Sequence, residues 1–418
     1  MTPTKITVFF YNRLFDPLIM GNFWVFIADI QTRLPDQFQF HFITYENDAN
    51  PLTNTQRIQL AEMKRLGVDW TPLPWHPGAG ARNKMTDIFA GFRAVAWQRA
   101  KGSRHVVSYN SVAGSFSYLY ARVLGMRLYM YSYEPHSEYS LDNGILSESS
   151  LQYRALHALE RRAAQFATVI SSGTRFMQAR LEHDWEVKAR FFKIPSVTDE
   201  RKFAFDGAVR AARRAELGLT DDRKVLLYPG KFGGLYYDVE VAQMFRWLLD
   251  ADPTLFFLVL TPQPPETVKA MFEEAGVPPE SYTVRRADYD DVPAWFWAAD
   301  FGVIAVPAGP SKRFISNIKV GEYLCAGLPF LITEGVSEDY LFAREYDVGV
   351  VVKSFDEPSI RGAWPEMRAL FDEDQTALRV RCTRAGRAYR GFETLRPPVV
   401  VNKDVRSFMR PALNLLIH

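Results

Sequence analysis

Residues 301–329 read FGVIAVPAGPSKRFISNIKVGEYLCAGLP. The apolar run Phe301–Ala305 is a short strand. Val306 to Asn317, rich in Pro, Gly and Ser, is a loop, and Ser316 or Asn317 is a good helix N-cap. Ile318–Ala326 is then a helix, which Gly327-Leu328-Pro329 stops, and Phe330–Ile332 is the next strand. Strand, loop, helix and strand in this order build a parallel sheet covered by helices.

The same alternation runs outward in both directions. Toward the C-terminus, Gly349–Val352 is one more strand. Toward the N-terminus come the strands Tyr282–Arg285, Phe256–Leu260 and Val225–Tyr228, separated by helical stretches at Val292–Ala298, Pro264–Ala275 and Asp238–Asp250. Phe256–Leu260 is nearly continuous apolar sequence, as a parallel strand buried on both faces requires. The first half repeats the pattern. Its strands are Ile6–Tyr11, Phe38–Thr44, Asp69–Trp75, Val106–Tyr109, Leu128–Ser132 and Thr168–Ser171. Its helices are Phe23–Leu34, Gln56–Gly67, Ile88–Lys101, Ser115–Leu124 and Leu151–Phe166. The charged segment Asp199-Glu200-Arg201-Lys202 separates the halves. The expected fold class is therefore α/β, with two doubly wound Rossmann-like domains, 1–200 and 201–395, and a C-terminal segment, 396–418, packing back toward the first domain. Ligands of such sheets bind beyond the carboxyl ends of the strands, so the chemistry is expected on loops that follow strands, at a cleft between the domains.

The chain has 418 residues, long enough for two cores. Its 50 basic and 48 acidic residues nearly balance, which leaves no general drive toward nucleic acid. Cys325 and Cys382 stand in no metal-ligand spacing and form no disulfide framework, so no metal is expected and a reducing, cytoplasmic setting fits. No run of about 20 apolar residues is present, so a membrane would be met only at its surface.

Two loops carry the chemistry. After Val225–Tyr228 comes Pro229-Gly230-Lys231-Phe232-Gly233-Gly234-Leu235-Tyr236-Tyr237. Glycines around a lysine between strand and helix can wrap N–H groups around an anion, or serve only a tight turn. In the second loop, Lys319 occupies the first turn of its helix, where the dipole disfavours a cation. An anionic ligand between Lys319 and the free N–H groups resolves that conflict. Glu322, three residues on, shares the face of Lys319 and can accept hydrogen bonds from ribose hydroxyls; the plain alternative is a surface ion pair between the two.

Ser316 to Pro329 resembles the donor segment of family-4-type glycosyltransferases, and is most similar to the capsule and exopolysaccharide branch. Gly230 to Tyr237 is similar to that branch's first donor loop. Lys193-Ile194-Pro195-Ser196-Val197-Thr198-Asp199 through Phe203 resembles its domain-linking segment, and Glu160, Ala163, Ala164 and Val169–Ser172 the close of its first domain. The resemblance implies a GT-B fold, a UDP-, GDP- or ADP-sugar donor, no bound metal, and transfer with retention to a glycan or lipid-linked acceptor in cell-surface polysaccharide biosynthesis. It implies that Glu322 holds the ribose, and that Lys319, Lys231 and the N–H groups around Ser316, Asn317 and Ile318 hold the diphosphate. Gly230, Gly233, Gly234 and Tyr236 would line that site, Tyr289 would flank the base, and Gly21 would let backbone approach the phosphates. Three positions depart from the pattern: Phe314 stands eight residues before Glu322 where the wider family often has a glutamate, Tyr236 replaces a lysine, and Ser196 replaces the linking asparagine.

In the first domain, Tyr133-Glu134-Pro135-His136-Ser137-Glu138 follows a strand. A histidine between carboxylates suits acid–base work, so Glu134 and His136 are acceptor-side candidates, with Asn110 a further one. Asn22, beside Gly21, also reads as a helix N-cap. Residues 84–101 mix Lys84, Arg93, Arg99 and Lys101 with Phe89, Phe92 and Trp97; they form either an ordinary surface helix or a contact with the inner face of the cell membrane. Two other functions remain open at this point: a nucleotide-sugar epimerase, and a GT-B protein that binds nucleotide or glycan without catalysis.

Overall fold

The structure, a computed structural model, describes residues 2–47, 51–77, 80–132, 134–288 and 290–395. The chain divides into two compact units, and the division falls between Pro195 and Ser196. The segment 396–418 lies outside the described residues.

The first unit holds seven strands: β1 (Thr4–Phe9), β2 (Phe38–Glu46), β3 (Val68–Pro74), β4 (His105–Tyr109), β5 (Arg127–Tyr131), β6 (Val169–Ser172) and β7 (Arg190–Lys193). Their order is 3-2-1-4-5-6-7 and every pairing is parallel. The second unit holds β8 (Lys224–Pro229), β9 (Leu255–Leu260), β10 (Tyr282–Arg285), β11 (Phe301–Ile304), β12 (Phe330–Thr333) and β13 (Gly349–Val352). They are ordered 10-9-8-11-12-13, again all parallel. Every residue of β9, β11 and β12 is buried, which is why these strands read as continuous apolar runs. Both sheets reverse their winding at one point, between β1 and β4 and between β8 and β11, and such switch points are where open parallel sheets bind ligands.

Several helices begin before their apolar pattern does. In place of a start at Phe23, the Asp16 carboxylate accepts from Leu18 N at 2.9 Å, and a π-helical stretch, Ile19–Trp24, leads into Val25–Arg33. Asn22 therefore lies inside the helix and is not its cap. The helix expected at Ile88 starts at Ala81, and the one expected at Ser115 starts at Asn110, whose side chain caps Ala113 N at 3.0 Å. Further helices at Asp339–Glu345, Glu357–Asp372 and Gln375–Arg390 complete the second unit. Among the described residues, no helix is long and apolar enough to cross a membrane.

Candidate functional site

The two loops singled out from the sequence follow β8 and β11, the strands that flank the switch point of the second sheet. The helix Ile318–Cys325 is fastened there by Tyr323. Its buried hydroxyl lies 3.0 Å from Leu227 O and from Val303 O, so it donates to one of them at a time, and it accepts from Val303 N at 3.2 Å. Beyond the Gly302–Leu227 register pair, this phenol takes over where β8 and β11 stop pairing. Gly302 makes the wedge fit, since a Cβ there would stand 2.6 Å from the Tyr323 ring.

A second fastening holds the residue before the helix cap. Arg390 is fully buried, pairs with the buried carboxylate of Asp339, and donates to Ser316 Oγ at 2.6 Å and to Ser196 O at 3.1 Å. Ser196 N donates to Ser316 Oγ and Ser196 Oγ to Ser316 O, both at 2.8 Å. Ser196 thus ties the start of the unit to this segment. Gly321 lets the helix approach it, because a Cβ would come within 2.3 Å of Thr198 Oγ1 and 2.9 Å of Arg390 Cβ. The Ser316 hydroxyl oxygen thereby accepts from two of the protein's own donors.

These fastenings present Asn317, Ile318, Lys319 and Glu322. Asn317 is the cap, its Oδ1 accepting from Lys319 N at 3.1 Å. The Lys319 ammonium lies 5.0 Å from the centroid of the Tyr236 ring, so it bridges the two loops. The loop after β8 is pinned by Tyr237 N, which donates to Ala305 O at 3.0 Å, and by Phe232 N, which donates to Gln263 Oε1 at 2.6 Å. Gly233 and Gly234 both adopt left-handed backbone, with φ of 76° and 66°, which their lack of Cβ permits. Gly230 packs against Tyr228, whose ring a Cβ would meet at 3.0 Å. Lys231 is exposed beside them.

Lys319 and Glu322 do not form the surface ion pair that their spacing allows. Glu322 keeps a partly exposed side chain, and no hydrogen bond or salt bridge engages its carboxylate among the described residues. Burial pushes its pKa up, against the pull of the Lys319 and Lys202 charges. Phe314, eight residues earlier, is 3% exposed in a 3₁₀ turn. Tyr289 lies outside the described residues.

In the first unit, Gly21 sits in the π-helical stretch that follows β1, next to the buried Asn22, whose carbonyl accepts from Tyr131 OH at 3.0 Å. Asn110, at the end of β4, has φ of 67° and bonds Asn12 Oδ1 through Nδ2 at 3.2 Å; Ser132, at the end of β5, has φ of 53°. Non-glycine residues held in this region mark a strained edge. His136 opens a short helix, His136–Asp142, with its N–H on Ser111 Oγ at 3.3 Å and its ring stacked on Tyr139. The ring reaches solvent, and surrounding protein still lowers its pKa. Glu138 is not at its disposal, being paired with Arg180, while Glu134 stays partly exposed ahead of the helix. Ser137, next to His136, donates from N to the fully buried Glu160 at 3.2 Å. On the helix Ala81–Ala100, Phe89 and Trp97 are each 62% exposed and Arg93 is exposed. Phe92 packs on Tyr120, Arg99 donates to Leu124 O at 3.0 Å and Lys101 covers Trp97, while Lys84 turns inward to Tyr11. That last contact belongs to a cluster the sequence reading missed: Tyr11, His76, Lys84 and Asp87 meet at the carboxyl ends of β1 and β3.

No protein-family model and no curated protein matches the sequence. Solved structures do match in fold. A sucrose-phosphate synthase from Thermosynechococcus elongatus superposes with a TM-score of 0.68 at 13% identity, covering 93% of this chain and 96% of the other. HepE from Anabaena, solved with UDP, gives 0.64 at 11% identity, covering 94% and 96%. WaaG, a glycosyltransferase involved in lipopolysaccharide biosynthesis, gives 0.62 at 16% identity, covering 93% and 95%. The chain thus has the GT-B fold, two doubly wound α/β domains of the kind these glycosyltransferases share.

Proposed function

We propose that the chain is a glycosyltransferase that moves a sugar, with retention, from a nucleotide-sugar donor to a glycan or lipid-linked acceptor in cell-surface polysaccharide biosynthesis. The observation that carries this reading is Glu322: a carboxylate raised in pKa by burial, without an ionic partner, three residues from Lys319 at a topological switch point. Its oxygens are ready acceptors for a ribose diol. Lys319, Lys231 and the N–H groups at Asn317 and Ile318 would hold the diphosphate, and stabilising that leaving group is the main catalytic contribution expected of them. HepE was solved with UDP and WaaG acts in lipopolysaccharide biosynthesis, which supports this donor class and this setting. Asn110, Glu134 and His136 would serve the acceptor, and exposed Phe89, Trp97 and Arg93 would bring the chain to the cytoplasmic face of a membrane that carries it.

A panel of UDP, GDP and ADP sugars tests the reading by thermal shift, since a ligand of the folded state raises Tm selectively. One class of nucleotide should stabilise the wild type, and Glu322→Ala should abolish the shift. Equal shifts in both proteins would remove Glu322 from the site. The buried Phe314 favours a second reading, a nucleotide-binding protein without catalysis. Tight binding with neither donor hydrolysis nor transfer would establish it.

A further inference from the structure

One face of the first unit's sheet has two unlike halves. Side chains alternate along a strand, so Lys5, Thr7 and Phe9 of β1 share a face. The register pairs Lys5 with Gln39, Thr7 with His41 and His41 with Asp69, which carries that face onto β2 and β3. Toward the carboxyl ends it is closed. Phe9, Ile43 and Tyr45 are buried, and the helix Ala81–Ala100 approaches them at Gly91, where a Cβ would stand 2.7 Å from Tyr45 OH. Toward the amino ends the face is polar, and a cavity of about 430 Å³ remains beside it. Its lining includes Lys5, His41, Lys64, Asp69, Gln98 and Lys101. The volume is within the range of small-molecule sites.

The polar groups of this cavity differ in how far the protein satisfies them. Thr7 Oγ1 donates to Ser103 Oγ at 2.9 Å, and Ser103 Oγ to His105 O at 3.1 Å, so these hydroxyls are engaged. Gln98 is only 8% exposed, yet among the described residues no hydrogen bond engages its amide. Leaving a buried amide unpaired is costly, so a partner from outside the chain is favoured there. The His41 ring meets Thr71 Oγ1 through Nε2 at 2.7 Å, and among the described residues its Nδ1 has no hydrogen bond. Burial lowers its pKa against the pull of Asp69, which keeps the ring neutral, with one donor and one acceptor nitrogen. Three lysines, Lys5, Lys64 and Lys101, face one carboxylate among the described lining residues, Asp69, whose Oδ2 accepts from Gln39 at 3.3 Å. Lys64 is exposed and makes no ion pair among the described residues. An adjoining cavity of about 340 Å³ shares Lys5 and Lys101 and adds Arg104 and His105.

An amide and a neutral imidazole suit hydroxyl groups, which both donate and accept, and a surplus of ammonium groups suits a phosphate. We propose that this cavity binds a small phosphorylated polyol, a sugar phosphate in chemical class. Gln98 and His41 take its hydroxyls, and Lys64 and Lys101 take its phosphate. Every wall of the cavity belongs to the first unit, so the proposal does not rest on the transferase reading given above.

Calorimetric titration of the full chain with glucose 6-phosphate, inorganic phosphate and glucose tests it. Glucose 6-phosphate should bind saturably, inorganic phosphate about tenfold more weakly or worse, and glucose without measurable heat. Lys64→Glu together with Lys101→Glu should raise the Kd for glucose 6-phosphate by about tenfold or more, as loss of a charge-assisted hydrogen bond does. Gln98→Leu should abolish binding and melt at or above the wild-type temperature, because it exchanges an unpaired amide for an apolar group of similar size. Should that variant fold poorly, the lysine pair, at exposed positions, still decides. Glu322→Ala should bind glucose 6-phosphate as the wild type does. Absence of binding to the wild type overturns the proposal, and so does a Kd that the lysine pair or a folded Gln98→Leu leaves unchanged. Equal affinity for inorganic phosphate and glucose 6-phosphate removes the polyol and overturns it as well. Binding lost in Glu322→Ala would place the ligand at the loops of the second unit and overturn it too.

Discussion

Lys319 and Tyr236 face each other across two loops of the second unit, the ammonium 5.0 Å from the ring centroid. One residue opens the helix after β11 and the other closes the loop after β8, so this contact sets where the positive charge stands when no anion is bound. Lys319→Ala should weaken nucleoside diphosphate binding by about 1.5–3 kcal/mol, the range of a charge-assisted hydrogen bond. Tyr236→Ala should weaken it less, by about 0.5–1 kcal/mol, because only the orientation of the cation is lost. Calorimetric titration with the nucleoside diphosphate distinguishes the two, and equal losses would assign the ring a direct contact of its own.

Glu322 couples binding to pH. Because burial raises its pKa, the ionised form that accepts ribose hydroxyls is lost on acidification at a higher pH than an exposed glutamate would set. Donor affinity should therefore fall as pH is lowered, and Glu322→Gln should bind more weakly at neutral pH with a flatter profile. The unliganded fold responds in the opposite sense. A raised folded-state pKa gives stability that is present below the unfolded pKa and lost as pH rises. At neutral pH, Glu322→Gln should thus melt a few degrees above the wild type. A variant that binds less and melts lower would contradict both halves.

Glu160 makes a similar prediction for the first unit, with a defined window. Burial pushes its pKa up to about 7, although Ser137 donates to it from N and Oγ. Between the ordinary glutamate value and about 7, the folded state holds a proton that the unfolded chain has released. Stability should decline across that window by on the order of 3 kcal/mol, then level off. Urea midpoints of the wild type should show this slope, and those of Glu160→Gln should not. A wild-type curve flat from pH 4.5 to 7 would mean that the Ser137 donors offset the burial completely.

The ion pair of Arg390 and Asp339 is buried on both sides. Arg390→Ala leaves the Asp339 charge uncompensated and should cost about 3–5 kcal/mol, read from denaturant unfolding of the second unit. Replacing both partners, Arg390→Met with Asp339→Leu, should recover much of that loss. Nucleotide affinity should remain reduced in the double variant, because Ser316 loses its 2.6 Å donor in either case. Full recovery of binding would show that the hold on Ser316 does not matter to the site.

What the sequence made legible was local. The apolar runs of β9, β11 and β12 betray burial on both faces, and Asn317 and Lys319 stand out because a cap and a misplaced cation are read within one helical turn. Glu322 follows at three residues' distance. What stayed hidden depends on chain-distant partners. The Ser316 hydroxyl accepts from Ser196, 120 residues away, and from Arg390, 74 residues away. His76 lies only 11 residues from Asp87, but their pairing gains meaning from Tyr11, 76 residues from Asp87. His136 drew notice by its acidic neighbours, one of which, Glu138, is turned to Arg180. The early helix starts escaped because polar residues, Asp16 and Asn110, set them.

Tyr323 has a consequence for how this scaffold can diverge. The helix bearing Lys319 and Glu322 hangs from the sheet by a phenol lodged between two strands, while Ser316 is gripped from behind. Within residues 306–315, which join β11 to that helix, Val306, Ser311, Lys312 and Phe314 are buried, whereas Ala308, Gly309, Pro310 and Arg313 reach solvent. Substitutions can accumulate at those outer positions while the cation and the carboxylate keep their places. Tyr323, wholly buried, is the side chain that gives the outer positions of the connection their freedom to drift.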